Sequence, residues 1–267
     1  MNSEEFRIGS AYDRFIYWVW AKPTLNYSLF ILHFSFNRRV WAKPTFNYSF
    51  FFILYSLFIK DWGESVKLID ISRKFFGGDV YPGDPEPVSE QICEIGEDSE
   101  CNLSVVRACV HNATHVDAPL HFLSGGDTIE NLPIENFIGP CTVIQVPSGV
   151  ITGEYVDKNF PPKCERLLIK GGGRAFFMDS SAQELADRGL ILIGTDSLSV
   201  GCKGNQTGPH KAFLQSGVAV LEGLDLSAVK PGNYFLFAPP VCYNGLEGAP
   251  ARAVLIEDYI FWSGKKA

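Results

Sequence analysis

The sequence has no run of lysine or arginine, and its 30 acidic residues outnumber its 23 basic ones, for a formal charge of −7. General nucleic-acid binding needs a concentrated basic face, so that class is excluded. A CxxC pair is also missing. Seven cysteines stand singly, at 93, 101, 109, 141, 164, 202 and 242. Such spacing excludes a thiolate zinc finger, and the odd number argues against a secreted disulfide framework; reduced thiols in a cytoplasmic chain are expected. No GxSxG elbow occurs, which removes the usual serine-hydrolase signature. The chain also lacks a long apolar run. The uncharged stretch from Pro44 to Ile59 falls short of the ~20 residues a spanning helix needs, and it contains Asn47 and Ser49.

What is present is a globular composition, 46% hydrophobic and 20% charged, with two different parts. Residues 1–65 form an aromatic-rich extension in which "VWAKPTLNYS" (Val19–Ser28) recurs as "VWAKPTFNYS" (Val40–Ser49). Two copies are too few to bury a shared core as a solenoid. Three readings of this extension stand: an interfacial anchor touching a membrane through residues 15–59, a short membrane-inserted hairpin, or an appendage incidental to function. Residues 66–267 read as one α/β domain. "VKLIDIS", "NLSVVRACV", "CTVIQV", "RLLIK", "LILIGTD", "VAVLEGL", "YFLFAP" and "ARAVLIE" have the β-branched, apolar character of strands. "AQELADRG", capped by Ser180 or Ser181 and closed by Gly189, and "KAFLQSG" read as helices. Strands outnumber the helices set singly between them, which predicts a mixed sheet with a few packed helices.

Histidine is scarce, five residues in all, yet three of them crowd into "HNATHVDAPLHF", His111 to Phe122. His115 and Asp117 share a face if the segment is extended, because side chains alternate along a strand. His111 joins them only if the chain bends within "NAT". Pro119 makes a helix the worse description. Two imidazoles and a carboxylate suit zinc or manganese, and a carboxylate can bridge two ions. His121, beyond the proline turn, suits a proton shuttle, since an imidazole titrates near neutrality. Asn112 and Thr114 read as turn residues that orient the ligands. Further ligands are expected from His210 and from Glu222. The apolar strand "VAVLEGL" would bury that carboxylate at a cost unless a cation neutralised it.

"HNATHVDAPLHF" is similar to the HxGTHxDxPxHF signature of the metal-dependent cyclase family, which includes kynurenine formamidase (arylformamidase) and isatin hydrolase. "YPGDPEP", "IGTDSLSV" and "HKAFLQSGVAVLEGL" resemble, in order, that family's PGD loop, TD-S segment and His–x11–Glu element, so the likeness spans Val66 to Ile256. The resemblance implies a swivelling β/β/α-type fold, a homo-oligomer and two divalent ions, Zn or Mn. It assigns His111, His115 and Asp117 to one ion, Asp117, His210 and Glu222 to the other, and general acid/base duty to His121. The implied activity is hydrolysis of an amide or formamide bond in a small aromatic molecule. A lactam hydrolase of the isatin type and a non-catalytic binding protein retaining the fold are the alternatives. Two departures stand out. Ala113 occupies the position of the family glycine, and Tyr81 precedes PGD where kynurenine formamidases often carry a substrate-contacting Trp.

Overall fold

The structure is a computed structural model that describes residues 67–97 and 99–257. The 1–65 extension, its repeat and the expected boundary at 65/66 lie outside the described residues. Among those described, no helix is long and apolar enough to cross a membrane.

The elements follow in the order β1 (Lys67–Asp70), β2 (Val88–Cys93), β3 (Leu103–Arg107), β4 (His115–Asp117), β5 (Ile138–Gln145), β6 (Gly149–Ile151), α1 (Gly153–Asn159), β7 (Arg166–Lys170) and β8 (Ala175–Phe177). After these come α2 (Asp179–Asp187), β9 (Leu192–Thr195), α3 (Thr207–Gln215), β10 (Ala219–Glu222), β11 (Gly232–Phe237), β12 (Gly248–Pro250) and β13 (Val254–Glu257). Nine strands form one curled sheet in the order β1-β13-β11-β5-β7-β9-β10-β4-β12. Its centre, β5 through β10, is parallel, and both flanks are antiparallel. The mixed sheet with a few packed helices is therefore the fold. Parallel strands covered on both faces read as continuous apolar runs, and β9 is buried at every position.

One face of the sheet, carrying Leu167, Ile169, Ile193 and Val220, packs against Val156 of α1, Ala182 and Leu185 of α2, and Phe213 and Leu214 of α3. On the other face Val116, Val143, Leu168, Leu192, Leu221, Leu236 and Leu255 belong to a second core, which joins strands from both flanks as the sheet curls. Helix α1 carried no strong sequence signal; its start is fixed by Thr152, whose hydroxyl accepts from the Tyr155 N–H at 3.2 Å. In α2 the serine acts otherwise than expected. Met178 is the N-cap, and Ser181 reaches back from the third helical position to accept the Met178 N–H at 2.9 Å. Gly189, at φ 83°, follows the end of α2 as expected.

"NLSVVRACV" is a strand only from Leu103 to Arg107, and it does not enter the large sheet. It pairs with β2 in a separate two-stranded hairpin, and His111 follows on a loop.

Candidate active site

β4 and β10 are antiparallel neighbours, with His115 opposite Glu222 and Asp117 opposite Val220. Opposed residues share a face, as do His115 and Asp117 two positions apart. That face is the helix-covered one, since Val220 packs there while Val116 and Leu221 point to the other core. α3 crosses it and supplies His210 from its first turn, where Pro209 needs no intrahelical bond.

The bend expected in "NAT" is made by Ala113 at φ 55°, the one non-glycine residue with positive φ among the described residues. Holding an alanine there costs about 1–2 kcal/mol. The turn is clamped from both sides. The Thr114 hydroxyl donates to the Gly223 carbonyl at 2.6 Å and accepts from the Arg73 N–H at 2.9 Å, while the Asn112 side-chain carbonyl accepts from Cys109 N–H at 2.9 Å. Gly223, directly after Glu222, lies at φ 67°, and a Cβ there would sit 2.0 Å from the Ala113 oxygen. Only glycine allows β10 to approach the histidine turn this closely.

The rings are aimed by backbone carbonyls. His115 Nδ1 donates to the Ala113 oxygen at 3.1 Å and His210 Nδ1 to the Gln206 oxygen at 2.7 Å. Both therefore turn Nε2 inward. His115 Nε2 lies 3.3 Å from Asp117 Oδ1 and 3.5 Å from Glu222 Oε2. His210 Nε2 lies 3.2 Å from Glu222 Oε1 and 3.5 Å from Asp117 Oδ2. His111 Nδ1 meets Asp117 Oδ1 at 2.8 Å. Glu222 Oε1 also accepts the Val200 N–H at 2.7 Å. The five expected ligand residues thus converge in two overlapping groups, His111–His115–Asp117 and Asp117–His210–Glu222, whose donor atoms lie within 4.8 Å of one another.

Electrostatics explain why such a cluster calls for a cation. Burial raises the Asp117 carboxyl, but hydrogen bonds from His111, His115 and His210 hold it well below the usual carboxylate range. Burial and the Asp117 charge raise Glu222, and hydrogen bonds from His115 and His210 bring it below its ordinary value. Burial lowers the two histidines, yet hydrogen bonds to Asp117 and Glu222 push both up to about 10. Two buried carboxylates therefore demand positive charge, which protons supply when no metal does. Asp117 Oδ2 and His111 Nε2 are buried with no close hydrogen-bond partner, His210 Nε2 standing 3.5 Å from the first and Glu247 Oε1 3.7 Å from the second. With two carboxylates, three imidazoles and an orphaned carboxylate oxygen, the donor set fits a divalent metal.

His121 is placed beside the cluster and not within it. Its ring stacks on His111 with centroids 4.0 Å apart, and burial lowers its pKa, which favours the neutral imidazole. His121 and Tyr81 both line a cavity of about 320 Å3 over the cluster, together with Asp84, Phe122, Leu198 and Gln206. Several contributors were not legible in the sequence. Phe122 stacks on His210 at 4.2 Å, Glu247 Oε1 stands 3.7 Å from His111 Nε2, and Gln206 and Val200 act through backbone groups that carry no residue signature.

Comparison with known proteins agrees with this geometry. The kynurenine formamidase of Salinibacter ruber is 36% identical over 204 residues, spanning 70% of this chain and 96% of its own length. The profile described as "Putative cyclase" matches residues 69–201. The chain belongs to the cyclase family. A second cyclase-family relative, the kynurenine formamidase of Paracidovorax citrulli, is 33% identical over 207 residues, covering 70% of this chain and 95% of its own. Among solved structures, one described as a potential metal-dependent hydrolase with cyclase activity superposes with a TM-score of 0.64 at 29% identity, over 73% of this chain and 100% of its own. Isatin hydrolase A from Labrenzia aggregata shares the fold at a TM-score of 0.62 and 18% identity, over 76% of this chain and 98% of its own.

Proposed function

We propose that this cyclase-family protein is a metal-dependent hydrolase that cleaves an amide or formamide bond of a small aromatic molecule, as an arylformamidase does. The observation that carries the reading is the convergence of His111, His115, Asp117, His210 and Glu222 on one buried spot under a cavity of ligand size. In this reading His111, His115 and Asp117 would hold one divalent ion, and Asp117, His210 and Glu222 would hold a second, zinc or manganese. When bound, such ions supply Lewis acidity that ionises water near neutrality and polarises a carbonyl.

The protein's own groups do the rest. His115 and His210 offer Nε2 because their Nδ1 protons are committed to the Ala113 and Gln206 carbonyls. Val200 N–H and Phe122 fix Glu222 and His210 respectively. His121, kept neutral by burial, accepts a proton at an imidazole nitrogen and returns it to the leaving amide nitrogen. That transfer is needed because an aniline-like amine departs poorly as an anion. Tyr81, on the cavity wall, is assigned to substrate contact. Its phenol is raised above the ordinary value by burial and by Asp84, Glu222 and Cys202, so it meets the substrate as a neutral hydroxyl.

The working form is assigned as a homo-oligomer, and residues 1–65 as an extension incidental to the function of the 66–267 domain; contact of residues 15–59 with a membrane is the alternative reading, and vesicle co-sedimentation decides between them. The hydrolase reading is tested by turnover of an aryl formamide and of an isatin-type lactam by the metal-loaded chain. Formamide cleavage with the higher kcat/KM is the expected result. Preference for the lactam would move the protein to the isatin-type reading, and metal binding with no cleavage of either would make it a binding protein.

A further inference from the structure

His111 differs from the other two histidines of the cluster in the nitrogen it turns inward. His115 and His210 commit Nδ1 to backbone carbonyls and present Nε2. His111 instead brings Nδ1 to Asp117 Oδ1, at 2.8 Å. The two nitrogens of an imidazole lie on different edges of the ring, so its Nε2 faces away from the cluster. That atom is buried, and among the described residues no acceptor stands within hydrogen-bond reach of it. A buried N–H without an acceptor is destabilising. The neighbours hold the ring in this orientation. His121 stacks on it with centroids 4.0 Å apart, His115 meets it edge-on at 5.1 Å, and a Cβ on Gly248 would stand 2.9 Å from its Cε1.

What Nε2 faces is Glu247, whose Oε1 is 3.7 Å away. Backbone hydrogen bonds put that side chain there. Three consecutive residues before β12 are pinned: Gly245 N–H donates to Glu130 Oε1 at 2.9 Å, the Leu246 carbonyl accepts from Ile129 N–H at 2.9 Å, and the Glu247 carbonyl accepts from Ala118 N–H at 2.8 Å. Gly248, opposite Asp117 in the β4–β12 register, then lets the strand lie against the imidazole. At 3.7 Å the two groups are not hydrogen-bonded. The Glu247 side chain is 38% exposed, so it has room to close the gap.

We propose that Glu247 is a positioning residue for His111: it accepts a hydrogen bond from Nε2–H and so fixes the tautomer whose Nδ1 lone pair faces the ion. Once an ion takes that lone pair, the single proton of the neutral ring sits on Nε2, and Glu247 is the acceptor beside it. Ligating histidines donate their other ring N–H in this manner, and a carboxylate acceptor strengthens the ligating nitrogen. His115 and His210 spend theirs on neutral carbonyls, so His111 differs from them in having a charged acceptor. The inference rests on the metal-dependent reading above. It also separates the two ligand groups, because Glu247 faces the one that contains His111.

The experiment is calorimetric zinc titration of the metal-depleted full chain, with ¹⁵N spectra of histidine-labelled, zinc-loaded protein. Glu247→Ala should weaken one zinc equivalent by about 10–100-fold and leave the other within about threefold of the parent. Glu247→Gln, which keeps an acceptor oxygen, should bind that weakened equivalent more tightly than the alanine variant does. In the unsubstituted chain one zinc-bound histidine should ligate through Nδ1 and carry its proton on Nε2, while two ligate through Nε2. Glu247→Ala should shift that one Nε2 signal and speed exchange of its proton with water, a selective change that a merely structural role would not produce. Circular dichroism checks folding, and the parent spectra with Glu247→Gln decide the matter if the alanine variant does not fold. Three results overturn the inference: ligation through Nε2 by all three histidines; zinc affinities in Glu247→Ala and Glu247→Gln equal to those of the parent; and loss of both equivalents in Glu247→Gln, as for a ligand. An unsubstituted chain that takes up no zinc overturns it together with the metal assignment. None of these readouts involves turnover, so the expected binding and spectra in a chain that hydrolyses nothing would support the inference while removing the hydrolase reading.

Discussion

Gly223→Ala is the substitution that most directly probes how the site is built. The methyl would enter 2.0 Å from the Ala113 oxygen, so backbone must retreat by at least the 1 Å that separates this from the closest tolerated contact. At φ 67° the alanine itself costs about 1–2 kcal/mol. Displacing the Ala113 carbonyl strips His115 Nδ1 of its acceptor, and that loss adds about 1 kcal/mol. The sum is about 2–3 kcal/mol, which lowers Tm by about 4–12 °C in a domain of this size. Thermal denaturation by circular dichroism, with metal content measured on the same samples, reads both effects. Tm should fall by that amount, and metal should be retained more weakly because His115 is no longer aimed. A Tm within ~2 °C of the parent and unchanged metal content would refute the claim that close approach of β10 holds the histidine turn.

Three further outcomes follow from the same geometry. His121→Ala should lower kcat by about 10²- to 10⁴-fold with metal retained, whereas Asp117→Ala should lose metal from both groups; equal metal loss in the two variants would make His121 a ligand. Metal-free protein should lose stability as pH rises from about 6.5 towards 10. His115 and His210 are raised to about 10 in the folded state, so the stability their protons contribute is fully present below the unfolded value and gone above the folded one. It should also lose stability under acid, as Asp117 and Glu222 are forced to protonate; a Tm flat from neutral to alkaline pH would contradict this. Deleting residues 1–63 should leave a soluble domain that still binds metal, checked by elemental analysis and circular dichroism, and a truncated chain that cannot fold would show that the extension completes the core or an oligomer interface.

The legible parts of the site were those written in side chains at short spacing. His115 and Asp117 share a strand face by simple alternation, and Glu222 was flagged because an apolar strand does not bury a lone carboxylate without compensation. The bend at Ala113 was legible as a necessity, though what clamps it was not. Thr114 reaches Gly223 and Arg73 across long stretches of chain, and no local pattern encodes that. Aiming of His210 by the Gln206 carbonyl and of Glu222 by the Val200 N–H is invisible for a different reason, since every residue carries those groups. In the fold, the buried strands β7, β9 and β10 announced themselves as apolar runs. "NLSVVRACV" was legible as a strand but not in its pairing, because alternation marks a strand and not which sheet it joins. Its apolar face turns outward on a hairpin, and only tertiary structure reveals that.

Titration of metal-depleted full chain with zinc or manganese, with aryl formamide turnover followed at each addition, tests the central claim most directly. Activity should be absent without metal and should rise to a break at two equivalents per chain, one for each of the two overlapping groups assigned to an ion under the proposal. Full turnover in the metal-free chain, or metal binding at those equivalents with no hydrolysis, would contradict it.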